Sequence, residues 1–143
     1  MKLLFRASTV AFLALTLVIV SSCSKYEEGS KFTLLTAKAR VTGDWTTTAI
    51  TVNGTSQDLT GTSFTTSIKK DGTYTASSSY TFGGSTFTTN ENGTWEFNSD
   101  KTELITTDSD GDVSTATITM LKNKMMKWKT VDGSFTTIVT LEQ

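Results

Sequence analysis

Residues 43–54 read GDWTTTAITVNG, a run of Thr, Val, Ile and Trp with polar positions between them that stops at an Asn-Gly pair. β-Branched and aromatic residues suit a pleated, half-buried surface. Asn-Gly tolerates the positive φ that a type I′ hairpin turn requires at both central positions. The same grammar continues to the end of the chain. Turn signals recur at Asp71-Gly72, Gly83-Gly84, Asn92-Gly93, Asp110-Gly111 and Asp132-Gly133, with Ser99-Asp100-Lys101 and Lys122-Asn123-Lys124 between them. This spacing predicts strands near 43–52, 62–69, 73–82, 85–90, 93–98, 102–107, 113–121, 125–131 and 134–142. Consecutive hairpins make an up-and-down antiparallel meander. An open sheet of that many strands would expose two long edges, and closure removes them. The expected fold is therefore an all-β barrel of eight or nine strands.

Alternation along these strands directs Trp45, Phe64, Ile68, Tyr74, Phe82, Trp95, Phe97, Leu104, Ile118, Met120, Met126, Trp128, Phe135, Val139 and Leu141 inward. The opposite rows are mainly Thr, Ser and Lys, which suits a water-facing barrel; a membrane-spanning one needs an apolar outer band. Ahead of the barrel, Lys31 to Arg40 (KFTLLTAKAR) is compatible with one or two turns of helix, too short to be stable unless it packs on the domain that follows.

The start of the chain has a different character. Lys2 and Arg6 precede an apolar run from Val10 to Val20, then the small pair Ser21-Ser22 and Cys23, which reads as a signal peptide over residues 1–22. Val20-Ser21-Ser22-Cys23 resembles the lipobox of bacterial lipoproteins, in which the leader is cut before the cysteine and the cysteine is acylated. Cys23 is then a lipid anchor on a tether of residues 23–30, with the barrel domain over 31–143; the alternative is a free cysteine beyond an ordinary cleavage site. Within the tether, Lys25 with Glu27-Glu28 resembles the export signal of surface lipoproteins of the Bacteroidota, or is simply a solvated linker.

Composition excludes more than it suggests. The chain has no His and a single Cys, so neither a Ser-His-Asp triad nor a Cys-His pair nor an imidazole-rich zinc site can be built. No disulfide is available, and packing and sheet hydrogen bonds must hold the fold. The formal charge is −1, becoming −3 once the leader's Lys2 and Arg6 are removed. Without a basic stripe, nucleic acid is not an expected partner.

With those pieces in place the chain resembles a family. Gly43-Asp44-Trp45 resembles the Gly-x-Trp motif that opens the lipocalin barrel. Lys70-Asp71-Gly72-Thr73-Tyr74, Asn92-Gly93-Thr94-Trp95-Glu96-Phe97 and Asp100-Lys101-Thr102-Glu103-Leu104 resemble the lipocalin-like lipoproteins of Bacteroidota. The resemblance implies a barrel whose tryptophan, here Trp45, closes the narrow end under an arginine from the last strand. Residues 134–143 contain no arginine, so Arg40 is the expected substitute for a cation–π cap, unless it is an exposed helix end. The Thr-Asp-Tyr motif of lipocalins is also missing, since Ser109 follows Thr107-Asp108.

Small residues placed among large ones suggest an interior volume. Ala76, Ser78, Tyr80, Phe82, Phe87, Ala116, Ile118, Thr137 and Val139 are the expected lining of a pocket for a small hydrophobic or amphipathic ligand. The competing reading is a solid barrel serving as a non-catalytic interaction or scaffold protein. No catalytic residue, cofactor or metal site is expected. Asp108-Ser109-Asp110-Gly111-Asp112 has the wrong spacing for a calcium loop and reads as a hairpin tip. Glu91 with Glu96, and Glu27 with Glu28, read as surface carboxylates rather than a hydrolytic pair. The lipoprotein resemblance thus implies a protein anchored in the bacterial outer membrane, on its periplasmic face or at the cell surface, and a monomer is expected.

Overall fold

Among the described residues, 25–28 and 34–143 of a computed structural model, one short helix leads into nine strands. The leader and Cys23 lie outside them, as do residues 29–33. Helix α1 (Ala37–Val41) starts where the Thr36 hydroxyl accepts the Ala39 N–H at 3.1 Å, an N-cap that satisfies one orphan donor. Lys38 and Arg40 lie in its last turn, where the carbonyl ends favour positive charge.

The strands are β1 (Gly43–Val52), β2 (Thr55–Ser56), β3 (Thr62–Ile68), β4 (Thr73–Phe82), β5 (Ser85–Phe97), β6 (Glu103–Asp108), β7 (Val113–Leu121), β8 (Met125–Asp132) and β9 (Phe135–Glu142). All strand pairs are antiparallel, and β1 pairs with both β3 and β9, closing an eight-stranded barrel. β3 accompanies β1 only from Gly43 to Thr46. Above that point the turn at Asn53 (φ 51°) and Gly54 (φ 80°) folds the two-residue β2 onto the edge of β1 that β3 leaves.

Two expectations about the strands change. Residues 85–90 and 93–98 are one thirteen-residue strand, β5, and Asn92-Gly93 is not a turn. Gly93 pairs with Tyr74 on one side and Asp108 on the other. A Cβ there would run into the Thr107 carbonyl and lie 2.8 Å from the Asp108 Cα, so the glycine permits close approach of two backbones instead of reversing the chain. Met120 is the second change. A register shift between Ile118 and Met120 pairs Met120 with Lys127 and brings Leu121, opposite Met126, onto the inner face. Met120 is buried but stands outside the inner cluster. Beside it Glu28 bonds the Thr119 carbonyl through its backbone N–H at 2.7 Å and reaches Lys127 Nζ through its carboxylate at 2.8 Å. The 25–28 segment therefore covers an edge of β7 that β6 does not reach.

The connections gather at two ends. The starts of β1, β4, β6 and β8 and the ends of β3, β5, β7 and β9 meet at a closed end, where Val41, Trp45, Ile68, Trp95, Leu104, Ile118, Leu121, Met126 and Leu141 form one buried cluster with Tyr26 and Tyr74. The opposite end is open. Phe82 and Phe135, expected inside, are 78% and 58% exposed there, because they lie beyond the rim where no opposing wall remains.

Candidate functional site

The closed end is built around Trp45, which is 1% exposed and donates its indole N–H to the Val41 carbonyl at 2.8 Å. Arg40 is also buried there, but it does not cover Trp45 as the cap reading required. Its guanidinium stacks over the Tyr26 ring at 5.6 Å and Nη1 donates to the Leu121 carbonyl. The ring that meets the arginine comes from the segment ahead of α1, expected to be tether. Burial pushes the Tyr26 hydroxyl up, and the neighbouring Arg40 charge partly offsets this. Lys38 lies over Trp95 at 5.9 Å, a second cation–π contact from α1.

Above this plug the barrel is hollow. A cavity of about 230 Å³ is lined by Ile68, Tyr74, Trp95, Leu104, Ala116 and Trp128, with the hydroxyls of Thr66, Thr106 and Ser114 among them. A second space of about 310 Å³ lies against Ile50, Phe64, Ser78, Thr89 and Val139. Both are bordered by Thr66, Ala76, Glu91 and Trp128, so the two spaces adjoin as lobes along that wall. Cross-strand pairing explains the shared wall: Thr66 sits opposite Ala76, and Ala76 opposite Glu91, on the inner face of β3, β4 and β5. The small side chain of Ala76 leaves the space between them.

The residues expected to line a pocket divide into three groups. Ala76, Ser78, Ala116 and Val139 border the two lobes. Ile118 belongs to the packed cluster of the closed end, and Thr137 is half-buried opposite Thr130 on the upper wall. Tyr80, Phe82 and Phe87 stand on the long β4–β5 hairpin above the rim, exposed, with the Tyr80 and Phe87 rings stacked at 5.0 Å. They are correctly phased for the inner face, but Tyr80 pairs with Thr62, the first residue of β3, Phe82 lies past it, and β6 ends opposite Gly93, short of Phe87.

Glu91, Trp95 and Trp128 are lining residues that the expectation omitted. Glu91 lies in phase with Gly93 and Trp95 along β5, and dividing that strand at Asn92-Gly93 hid the relation. The Tyr74 hydroxyl donates to Glu91 Oε1. Burial pushes that hydroxyl well above its ordinary range, and the bond to Glu91 and the negative charge of Glu91 and Asp108 add to the effect. Tyr74 is thus a neutral donor throughout the physiological range.

Among the described residues no group of three acidic or thiol side chains is arranged to hold a cation. Asp108 Oδ1 is occupied within its own loop by the N–H groups of Asp110 and Asp112, each at 2.9 Å, as a hairpin tip requires.

No curated protein matches the chain. Among solved structures, japanin from Rhipicephalus appendiculatus, bound to cholesterol, is similar with a TM-score of 0.52 at 13% identity, over 76% of this chain and 79% of that one. At that identity the likeness is one of fold. A family model described as a lipocalin-like domain matches residues 41–128, from the end of α1 to the middle of β8. With more than half of its length inside that match, and with the closed eight-stranded barrel, the chain belongs to the lipocalin-like domain family.

Proposed function

We propose that the protein is a lipid-anchored lipoprotein of the bacterial outer membrane whose barrel holds a small hydrophobic or amphipathic molecule, as a monomer and without performing chemistry on it. The carrying observation is the two-lobed opening, walled by Trp95, Leu104, Ala116, Trp128 and Val139 and punctuated by a few hydroxyls. A concave, mostly apolar space with sparse polar groups is the usual make-up of a small-molecule site. The sterol bound by japanin, a barrel of the same fold, is of this ligand class. A solid scaffold barrel has no use for the volume around Ala76.

The anchor reading rests on the lipobox-like tetrad ending at Cys23 and, with it, membership among the lipoproteins of Bacteroidota. Two residues, Ser24 and Lys25, separate Cys23 from Tyr26, so the span is at most about 11 Å. Acyl chains on Cys23 would then lie beside the closed end, and the mouth would face away from the bilayer. Of the charged trio after the cysteine, Lys25 and Glu27 are exposed, whereas Glu28 is tied to Lys127. Loss of labelled palmitate from the Cys23→Ala variant is the expected result; unchanged incorporation would overturn the anchor.

Ligand binding is tested by titrating the purified protein with the uncharged fluorescent probe N-phenyl-1-naphthylamine. Saturable binding is expected, and Ala76→Phe or Ala116→Leu should weaken it about tenfold or more by filling the space, with the β-rich fold retained. Absence of saturable binding to the parent would overturn the proposal.

A further inference from the structure

We infer that the cavity selects ligands bearing a positive charge, an amine or quaternary ammonium group on an apolar body. The inference rests on the ligand-binding reading above and specifies its chemistry. Three observations carry it.

The first is the lining itself. Tyr74 and Glu91 are the ionisable side chains bordering the two lobes, and no Lys or Arg borders either. Glu91 has its Oε1 held by the Tyr74 hydroxyl, while its Oε2 takes no hydrogen bond from a described residue. Among the described residues the ion pair is Lys127 with Glu28, on the outer side of the barrel, so Glu91 has no protein counter-charge. A carboxylate fixed by a neighbour, unpaired and adjoining an apolar space attracts a cation and repels a ligand carboxylate.

The second observation is aromatic. Trp95, Trp128 and Tyr74 border the same lobe as Glu91. Indole and phenol faces attract ammonium groups, most strongly where water is excluded. The third is the distribution of charge between the ends of the barrel. The open-end connections 53–61, 83–84, 109–112 and 133–134 contain Asp58, Asp110 and Asp112 and no Lys or Arg, and Asp108 and Asp132 end the strands beside them. Lys69, Lys70, Lys101, Lys122 and Lys124 are all on closed-end connections, where they outnumber Asp71 and Asp100. A mouth of one sign concentrates and steers ligands of the other.

The test compares three ten-carbon ligands that differ in head group: decyltrimethylammonium, decanoate and decanol, each used to displace N-phenyl-1-naphthylamine from the full protein below its micelle concentration. Decyltrimethylammonium is expected to bind about tenfold more tightly than decanoate. Glu91→Gln keeps the side-chain shape and an acceptor for the Tyr74 hydroxyl; it should bring the two to within about twofold. Glu96→Gln, one residue past Trp95 on the outward face of the same strand, should leave the tenfold gap in place, which excludes a net-charge effect. Equal binding of decanoate and ammonium to the parent, or a gap that survives Glu91→Gln, would overturn the inference while decanol binding kept the cavity reading intact. Failure of all three ligands, decanol included, would overturn both.

Discussion

At the closed end Val41, Trp45, Leu121, Met126 and Leu141 have almost no exposure, whereas at the open end the inward-phased Tyr80, Phe82 and Phe135 are each more than half exposed. The same strands build both ends, with the same alternation of side chains. What differs is whether an opposing wall and a plug exist: α1 and residues 26–28 seal one end, and none of the described residues covers the other. Apolar burial supplies most of the favourable free energy of folding, so stability is concentrated at one end. The other end is free to change its residues with little effect on the fold. Charge follows a related division, with the turn lysines all on the closed-end connections, beside Asp71 and Asp100, and only aspartates on the open-end ones.

Substitutions can test how sharply the two ends are divided. Trp45→Ala removes the largest fully buried side chain and should cost about 3–5 kcal/mol in denaturant unfolding; a loss below about 1 kcal/mol would mean the plug is not where stability resides. Next in size is Gly93→Ala at the seam between β5 and β6. The added methyl has no room against Thr107 and Asp108, and a loss of about 1–3 kcal/mol is expected. An unchanged melting temperature would show that the two backbones separate easily there.

Tyr74→Phe probes the boundary between plug and cavity. At neutral pH it should cost about 1 kcal/mol through the lost bond to Glu91. The folded-state pKa of Tyr74 is raised above its ordinary value of 10.0. Its contribution is therefore fully present below pH 10 and declines as pH rises above it, because the unfolded chain ionises first. The stability gap between parent and variant should narrow above pH 10; a gap that stays constant in alkaline denaturation series would show that Tyr74 ionises freely in the folded state. Smallest of all, Phe82→Ser on the hairpin tip should shift stability by less than about 0.5 kcal/mol. A larger loss would reveal that the open-end aromatics are packed, and would erase the contrast between the ends.

The strands and their pairing were legible because turn residues and alternation are local properties. The run 43–54, Gly83-Gly84 and Asp132-Gly133 announce themselves without reference to anything distant. The errors came where a local signal has two physical meanings. Gly93 follows an asparagine and looks like a turn, but its lack of a Cβ serves an approach by β6 that only the folded barrel reveals. Met120 is in phase for the interior until the bulge shifts the phase by one residue, and nothing in Ile118-Thr119-Met120 marks the bulge. Phe82 and Phe135 obey the alternation yet lie above the rim, since pattern specifies a face and not a height. The site was partly legible: Ala76 and Ala116 stood out as small residues among large ones, whereas Glu91 was hidden by the misread turn. The restriction of turn lysines to alternate turns is also present in the sequence, and it becomes a difference in charge between the ends only once alternate turns are known to meet at one end.

Every seam of the barrel but one joins strands that are close in the chain. The exception is the pairing of β1 with β9, which sets Thr46 against Glu142, nearly a hundred residues apart. Hairpins form in microseconds, while a contact of that separation must wait for a large loop to close. The meander can thus assemble strand by strand as the chain emerges, but its cylinder is sealed only by the last strand to be made. Until then Trp45 lacks the cover of Leu141, and the edges of β1 and β8 are both open to other chains. The hazardous interval for this protein is accordingly a matter of timing, and it ends when residues 135–142 arrive.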